Sequence, residues 1–266
     1  MPAATTAKTR PNRLVERLLA DRHSLPLSIA LHLVPGVLIV AAYLLVAEPL
    51  VLGIGYPPFL GWAIAMFVAL APVQLGLLLW LGRQRNGRYS LRGVLRYVDK
   101  PLPRGKLVAM VAGLIVWFVV VSFALTVLDS VIYESFFTWV PFQDAGASAT
   151  TYLDGYPRSV MLITLAACIP LTGLSFPIIE ELYFRGFLLP RLSHLGRWAP
   201  VLNAVLFSLY HFWSPWVFLS RVIFTFPAPW FVWKKRDLRL SIGMHAGTTF
   251  LMQTLGTLAV LLNLMP

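Results

Sequence analysis

The chain has 266 residues, of which 58% are hydrophobic and 12% charged, and its formal net charge is +11. With a mean hydropathy of +0.73, this composition excludes a water-soluble enzyme and predicts a polytopic membrane protein. We find no nucleic-acid-binding motif, so we attribute the positive charge to membrane topology and anionic lipid headgroups. Cys168 stands alone, which excludes an intrachain disulfide and predicts a small buried hydrophobe.

Apolar runs close to the roughly 20 residues that a spanning helix needs recur along the chain. They predict an all-α transmembrane helix bundle of about seven spans. An eighth segment arises if Pro170 and Pro177 divide the fourth run, because proline removes an amide donor and clashes with the preceding turn. The predicted spans are residues 27–47, 59–81, 106–128, 158–190, 199–213, 215–233 and 240–262.

Lys and Arg collect in alternate connections between these spans. Seven spans with the N-terminus inside place 20 of the 22 basic residues on one side, and cytoplasmic loops are the ones that collect Lys and Arg. We therefore predict an integral membrane protein with a cytoplasmic N-terminus, whose first span is an uncleaved anchor. We assign it to a prokaryotic cytoplasmic (inner) membrane, since Arg predominates over Lys.

This topology divides the chain into four regions. No feature of the sequence indicates an oligomeric state. The regions are a basic cytoplasmic arm (1–26), three N-terminal transmembrane helices (27–128), an extracytoplasmic loop (129–157) and a catalytic transmembrane core (158–266).

Two adjacent glutamates, Glu180 and Glu181, lie in the apolar stretch LTGLSFPIIEELYFRGFLL. Ionisable groups at membrane depth are costly and usually mark a functional site. Glu181 and Arg185 are four residues apart, so they share a helix face and are expected to form an ion pair. Glu180 points about 100° away and needs a partner from another helix.

Two histidines in apolar segments, His211 and His245, are the candidate partners of Glu180. At 1.5 Å per residue, Glu180, His211 and His245 lie roughly 15, 16 and 9 Å from the cytoplasmic ends of their segments. All three therefore lie at similar depth. A carboxylate facing two imidazoles in a low-dielectric cavity is suited to activate water and to stabilise a tetrahedral oxyanion, which predicts amide hydrolysis.

At these residues the sequence resembles the CPBP family of intramembrane glutamic proteases, which includes CAAX prenyl endopeptidases and bacteriocin-processing and immunity proteins. The resemblance covers about residues 158–262. Three motifs carry it in order: EExxxR at Glu180, Glu181 and Arg185; FxxxH at Phe207 and His211; and HxxxN, here His245 followed by Thr249.

The resemblance implies a CAAX-protease-like core and a role for each matching residue. Glu180 would activate water that His211 shares, and His245 would stabilise the oxyanion. Glu181 and Arg185 would hold the motif helix, with Phe207 and Thr249 as further supporting positions. Thr249 stands where family members usually have Asn or Asp, and its shorter hydroxyl can bond back to its own helix.

The implied substrates are membrane-anchored peptides or proteins, either membrane-embedded or lipid-anchored, prenylated CAAX-type substrates among them. We expect the cavity to open toward the cytoplasmic leaflet. We predict no cofactor. Zinc is the less favoured alternative, because Glu180, His211 and His245 would form a common catalytic zinc set.

Two non-enzymatic alternatives stay open. One is a membrane scaffold or immunity protein of the same fold, in which Thr249 has disabled the chemistry. The other is a transporter whose Glu and His relay protons. Of the remaining polar residues, we expect Tyr183 and Tyr210 to pack as aromatics, His32 to make a polar contact, and Asn203 to lie outside the site.

Overall fold

The computed structural model describes residues 12–140 and 155–264. The first part of the predicted arm and the centre of the predicted loop 129–157 lie outside these residues. Within the described parts the chain is helical and contains no strand, which confirms the all-α fold class. The helices are α1 (Arg13–Leu19), α2 (Leu25–Gly53), α3 (Pro58–Asn86), α4 (Arg104–Ala124), α5 (Thr126–Ile132), α6 (Arg158–Arg191), α7 (Trp198–Tyr210), α8 (Phe218–Thr225), α9 (Pro227–Lys235) and α10 (Arg239–Leu261).

Among the described residues, five helical stretches are long and apolar enough to cross a membrane: α2, α3, α4, α6 and Pro215–Lys235, which contains α8 and α9. Together they indicate an integral membrane protein. The count of seven to eight spans is not confirmed. Helix α7 is apolar but has 13 residues, and α10 has 23 residues that include the polar His245, Thr249 and Gln253.

Helix α6 runs without a break from Arg158 to Arg191, although it contains Pro170 and Pro177. Two segments of α6, Ile169–Ser175 and Leu182–Leu188, are wider π-helical turns. Pro170 lies in the first of them, where a widened turn tolerates a missing amide donor better than a regular one. The prolines therefore do not produce the eighth segment that the sequence suggested.

The beginning of the predicted extracytoplasmic loop is helical. Asp129 lies within α5, which continues into a wide turn at Tyr133–Phe137. The helix therefore continues beyond α4, although no residue of Thr126–Phe137 is buried. The Ser220 hydroxyl donates to Asp129 at 2.9 Å and ties α5 to α8.

The polar residues of α10 face the protein, whereas most of α4 faces outward. Helix α10 packs against α4 and along α6, including the wide turn Ile169–Ser175. Helix α4 buries only Leu114, as expected of a helix that contacts lipid. Cys168 is buried and free, as predicted.

Helix α7 packs against α2 at a point of very close approach. A Cβ added at Gly36 of α2 would lie 2.0 Å from the carbonyl oxygen of Tyr210 and 3.0 Å from the Phe212 ring. This contact lies at the C-terminal end of α7, because Tyr210 is the last residue of the helix and His211 follows it.

We expect Gly36→Ala to destabilise the protein by about 1 to 3 kcal/mol, because the added methyl group forces the two backbones apart. Thermal unfolding in detergent would measure this loss. Gly113→Ala in α4 is the matched control, since its Cβ meets nothing within 4 Å. Equal stability of the two variants would contradict the close packing of α2 on α7.

Candidate active site

A buried ion pair forms the base of the site. Arg185 Nη1 lies 3.3 Å from Glu181 Oε1, and both side chains are 1% exposed. The predicted pair at helical spacing is thus present. The Arg185 guanidinium also lies over the Phe207 ring, with its central carbon 3.8 Å from the ring centre. This cation–π contact joins α6 to α7.

His245 joins the same cluster from α10. Its Nδ1 lies 3.0 Å from Glu181 Oε1. Because an ionised carboxylate can only accept, Nδ1 carries the hydrogen. Glu181 therefore holds α10 as well as the guanidinium, and the Nε2 atom of His245 faces the second glutamate.

Glu180 finds its partners on two other helices, as its position on the helix requires. It is 3% exposed. Its Oε1 accepts a hydrogen bond from the Tyr210 hydroxyl at 2.7 Å, and its Oε2 lies 3.9 Å from His245 Nε2. The second distance is too long for a direct hydrogen bond, so the two groups are neighbours with a small gap between them.

His211 is the residue at which α7 ends, with φ −82° and ψ 63°. Its Nδ1 donates to the Phe207 carbonyl at 2.7 Å. A carbonyl cannot donate, so the hydrogen is on Nδ1 and Nε2 keeps a free lone pair as an acceptor. The Phe207 ring stands edge-on to both imidazoles, with centroid distances of 4.8 Å to His211 and 6.0 Å to His245.

The two histidines line one cavity of about 770 Å³. Glu180 does not line this cavity. It contacts His245, which lines the cavity, and Tyr210, which precedes the lining residue His211 in the chain. Aromatic side chains contribute much of the wall: Phe118, Phe123, Phe207, Trp216 and Phe224. Since α4 supplies part of this wall, the cavity draws on residues outside the predicted core 158–266.

The cavity lies toward one end of the bundle. The lining residues of α4 and α5 begin at Phe118, far from the basic start of α4 at Arg104. The lining residues of the stretch Pro215–Lys235 run from Trp216 to Thr225, far from Lys234. These two stretches therefore line the cavity with residues remote from Arg104 and Lys234, whereas the lining residue His245 lies six residues after the basic Arg239.

Thr249 is held by backbone carbonyls. Its hydroxyl lies 2.8 Å from the His245 carbonyl on its own helix and 2.7 Å from the Gly173 carbonyl of α6. The predicted bond back to the helix is present. A hydroxyl has one proton, and both neighbours are acceptors, so Thr249 acts as a tether between α10 and the wide turn of α6.

Tyr210 and Tyr183 pack against aromatic rings, as expected, and both also donate hydrogen bonds. Tyr210 donates to Glu180, and Tyr183 donates to the Leu31 carbonyl at 2.8 Å. The signal in the sequence was general: a buried tyrosine hydroxyl usually finds an acceptor.

Asn203 and His32 lie outside the site, as expected. The Asn203 amide donates to the Phe184 carbonyl at 3.0 Å and to His32 Nε2 at 3.1 Å, while His32 Nδ1 donates to the Ser28 carbonyl at 2.7 Å. These contacts leave His32 with a satisfied neutral ring. Reasoning from the sequence assigned no role to Arg221, which nevertheless lines the cavity.

The described residues contain no group of three or more His, Cys, Asp or Glu side chains arranged to hold a metal ion. Both Nδ1 atoms of His211 and His245 are engaged by protein acceptors. Only their Nε2 atoms could coordinate a metal, and the set predicted for zinc does not converge on one point in the described chain.

Residues 161–251 match the family model described as type II CAAX prenyl endopeptidase, Rce1-like. This match confirms the family resemblance. The Rce1-like segment contains Glu180, Glu181, Arg185, Phe207, His211, His245 and Thr249, and it covers about a third of the chain. No curated protein and no solved structure matches the chain.

In the Rce1-like segment we expect Arg185→Met to destabilise the protein by about 3 to 5 kcal/mol, because Glu181 is then left buried without its cation. Glu181→Gln combined with Arg185→Met should recover part of that loss, since the uncompensated charge is gone. Thermal unfolding in detergent measures both. The control is Arg197→Met, at an exposed position. A double variant no more stable than Arg185→Met would contradict the pairing.

Proposed function

We propose that this protein is an intramembrane endopeptidase in which Glu180 is the general base. One observation carries the proposal: Glu180 is buried beside His245, at 3.9 Å, next to a cavity that His211 and His245 both line. Membership of the Rce1-like segment in a protease family supports the same reaction class.

In the proposed mechanism a water molecule lies between Glu180 and the substrate carbonyl. Its protons point to a Glu180 oxygen and to the free Nε2 lone pair of His211. Glu180 takes one proton as the water oxygen bonds to the carbonyl carbon. The protonated Glu180 then gives that proton to the leaving nitrogen as the C–N bond breaks, so that water and amide yield acid and amine.

His245 would stabilise the negative oxygen of the tetrahedral intermediate. Since Nδ1 donates to Glu181, donation from Nε2 requires a doubly protonated ring. The Tyr210 hydroxyl holds Glu180 Oε1, which leaves Oε2 for the water.

The aromatic wall of the cavity suits an apolar peptide, so the proposed substrates are membrane-embedded or lipid-anchored, with prenylated CAAX-type substrates among them. We propose the prokaryotic cytoplasmic membrane as its location. A non-catalytic scaffold or immunity protein is the second candidate, because Thr249 replaces the usual Asn and its hydroxyl is engaged by carbonyls.

We expect Glu180→Gln to lower the cleavage rate of membrane-anchored peptides by roughly 10²- to 10⁴-fold, because the base is lost. The assay uses purified protein in lipid vesicles and a panel of prenylated and unprenylated anchored peptides. Glu16→Gln, at an exposed position in α1, is the matched control. Unchanged cleavage in Glu180→Gln would exclude the proposed base, and loss of wild-type cleavage in a zinc chelator would favour the metal alternative.

Thr249 provides a second test of the chemistry. We expect Thr249→Ala to change kcat less than about threefold, because the hydroxyl is tied to carbonyls, whereas an oxyanion donor contributes 10²- to 10³-fold. Thr249→Asn should raise kcat, since a longer amide can reach the reacting oxygen. A large loss in Thr249→Ala would instead assign the hydroxyl to the reaction. No cleavage by wild type or Thr249→Asn would favour the scaffold.

A further inference from the structure

Arg221 is a buried cation whose function the proposed mechanism does not explain. It lies in α8, within the candidate span Pro215–Lys235, and is 9% exposed. A buried charge is costly unless an opposite charge or several hydrogen bonds compensate it. The contacts of Arg221 therefore decide whether it has a purely structural role.

The guanidinium hydrogen bonds of Arg221 go to one residue, Ser214. Nη2 donates to the Ser214 hydroxyl at 2.7 Å, and Nη1 lies 3.4 Å from the Ser214 carbonyl. A guanidinium has five N–H donors, so three remain. Within residues 12–140 and 155–264, no carboxylate oxygen lies within 4.0 Å of Arg221, the limit that defines the ion pairs found elsewhere.

The acidic groups that act on Arg221 from farther away are Asp129 and Glu180. Asp129 accepts a hydrogen bond from Ser220 and lies beyond ion-pair distance of the guanidinium, so its charge acts on Arg221 without a direct contact. Glu180 accepts from Tyr210 and faces His245, so it is engaged elsewhere.

Arg221 lines the cavity together with His211 and His245. It is the only Lys or Arg among the lining residues of the described chain. The acidic residues of the wall, Asp129 and Glu134, belong to α5 and its continuation. The cavity therefore has one positive point on α8 and a negative wall on α5, and this polarity would orient an anionic ligand toward Arg221.

We infer that Arg221 binds a carboxylate of the peptide substrate, either the free C-terminus or an acidic side chain. The inference rests on the proposed function, because it takes the cavity to hold a peptide. A planar guanidinium with three spare donors matches a carboxylate in a paired geometry. The bound carboxylate supplies the missing counter-charge, so Arg221 discriminates between peptides that carry the anion and peptides that lack it.

The test compares the binding of two probes to the full-length protein in lipid nanodiscs. The probes are an N-acetylated tripeptide of leucine as the free acid and as the carboxamide. Empty nanodiscs correct for partition into lipid. We expect the acid to bind the protein about tenfold or more tightly than the amide, as for a desolvated charge pair. The comparison is made in wild type and repeated in Glu180→Gln.

Substitutions of Arg221 give the second part of the test. In Arg221→Gln the preference for the acid should disappear while affinity for the amide stays within about threefold. Arg221→Lys should show an intermediate preference, because an ammonium keeps the charge but not the fork. If Arg221→Gln does not fold, the wild-type comparison and Arg221→Lys decide. Carboxamide peptides ending in Glu or Gln distinguish a side-chain carboxylate from the C-terminus.

Several outcomes would overturn the inference. They are no preference for the carboxylate in either pair of peptides in wild type (leucine acid against amide, and Glu against Gln carboxamide), no binding of any of them, or a preference that survives Arg221→Gln. An equal loss of affinity for both peptides in Arg221→Gln would show a structural role. Failure of the proposed function has a different signature, namely no Glu180-dependent cleavage while the acid still binds more tightly.

Discussion

The site depends on the compensation of the buried carboxylate of Glu181. In a low-dielectric interior this charge needs partners from the protein itself. Arg185 supplies the cation one helical turn later, and His245 supplies a donor from α10. The Phe207 ring under Arg185 adds α7 to the same cluster. Three helices are thus held at one depth by one ion pair, and the position of every other group in the site follows from that.

The neighbouring carboxylate has different surroundings, and this difference separates structure from chemistry. Glu181 is paired with a full positive charge, that of Arg185. Glu180 instead faces a neutral hydroxyl and an imidazole. These contacts position Glu180 for the proposed role of base. Their positions about 100° apart on one helix allow adjacent residues to have these separate roles.

Local spacing predicted the features that depend on one helix, and failed where two helices must meet. The ion pair of Glu181 with Arg185 follows from a four-residue spacing, and depth counting brought Glu180 to His245. Counting residues gives the depth of a residue along its helix axis but not the direction in which its side chain points. It therefore did not reveal Tyr210 as the donor to Glu180. The continuous α6 also escaped prediction, because its wide turns pack against helices distant in the sequence, Ile169–Ser175 against α10 and Leu182–Leu188 against α2 and α7.

The position of the cavity constrains how a substrate enters. Arg221, His211 and His245 line one cavity, and its wall also carries Asp129 and Glu134. A peptide whose carboxylate binds at Arg221, as inferred above, would extend from there toward the two histidines. The proposed anion site and the proposed chemistry would then together set the direction of the peptide chain across the site, because both belong to the same cavity.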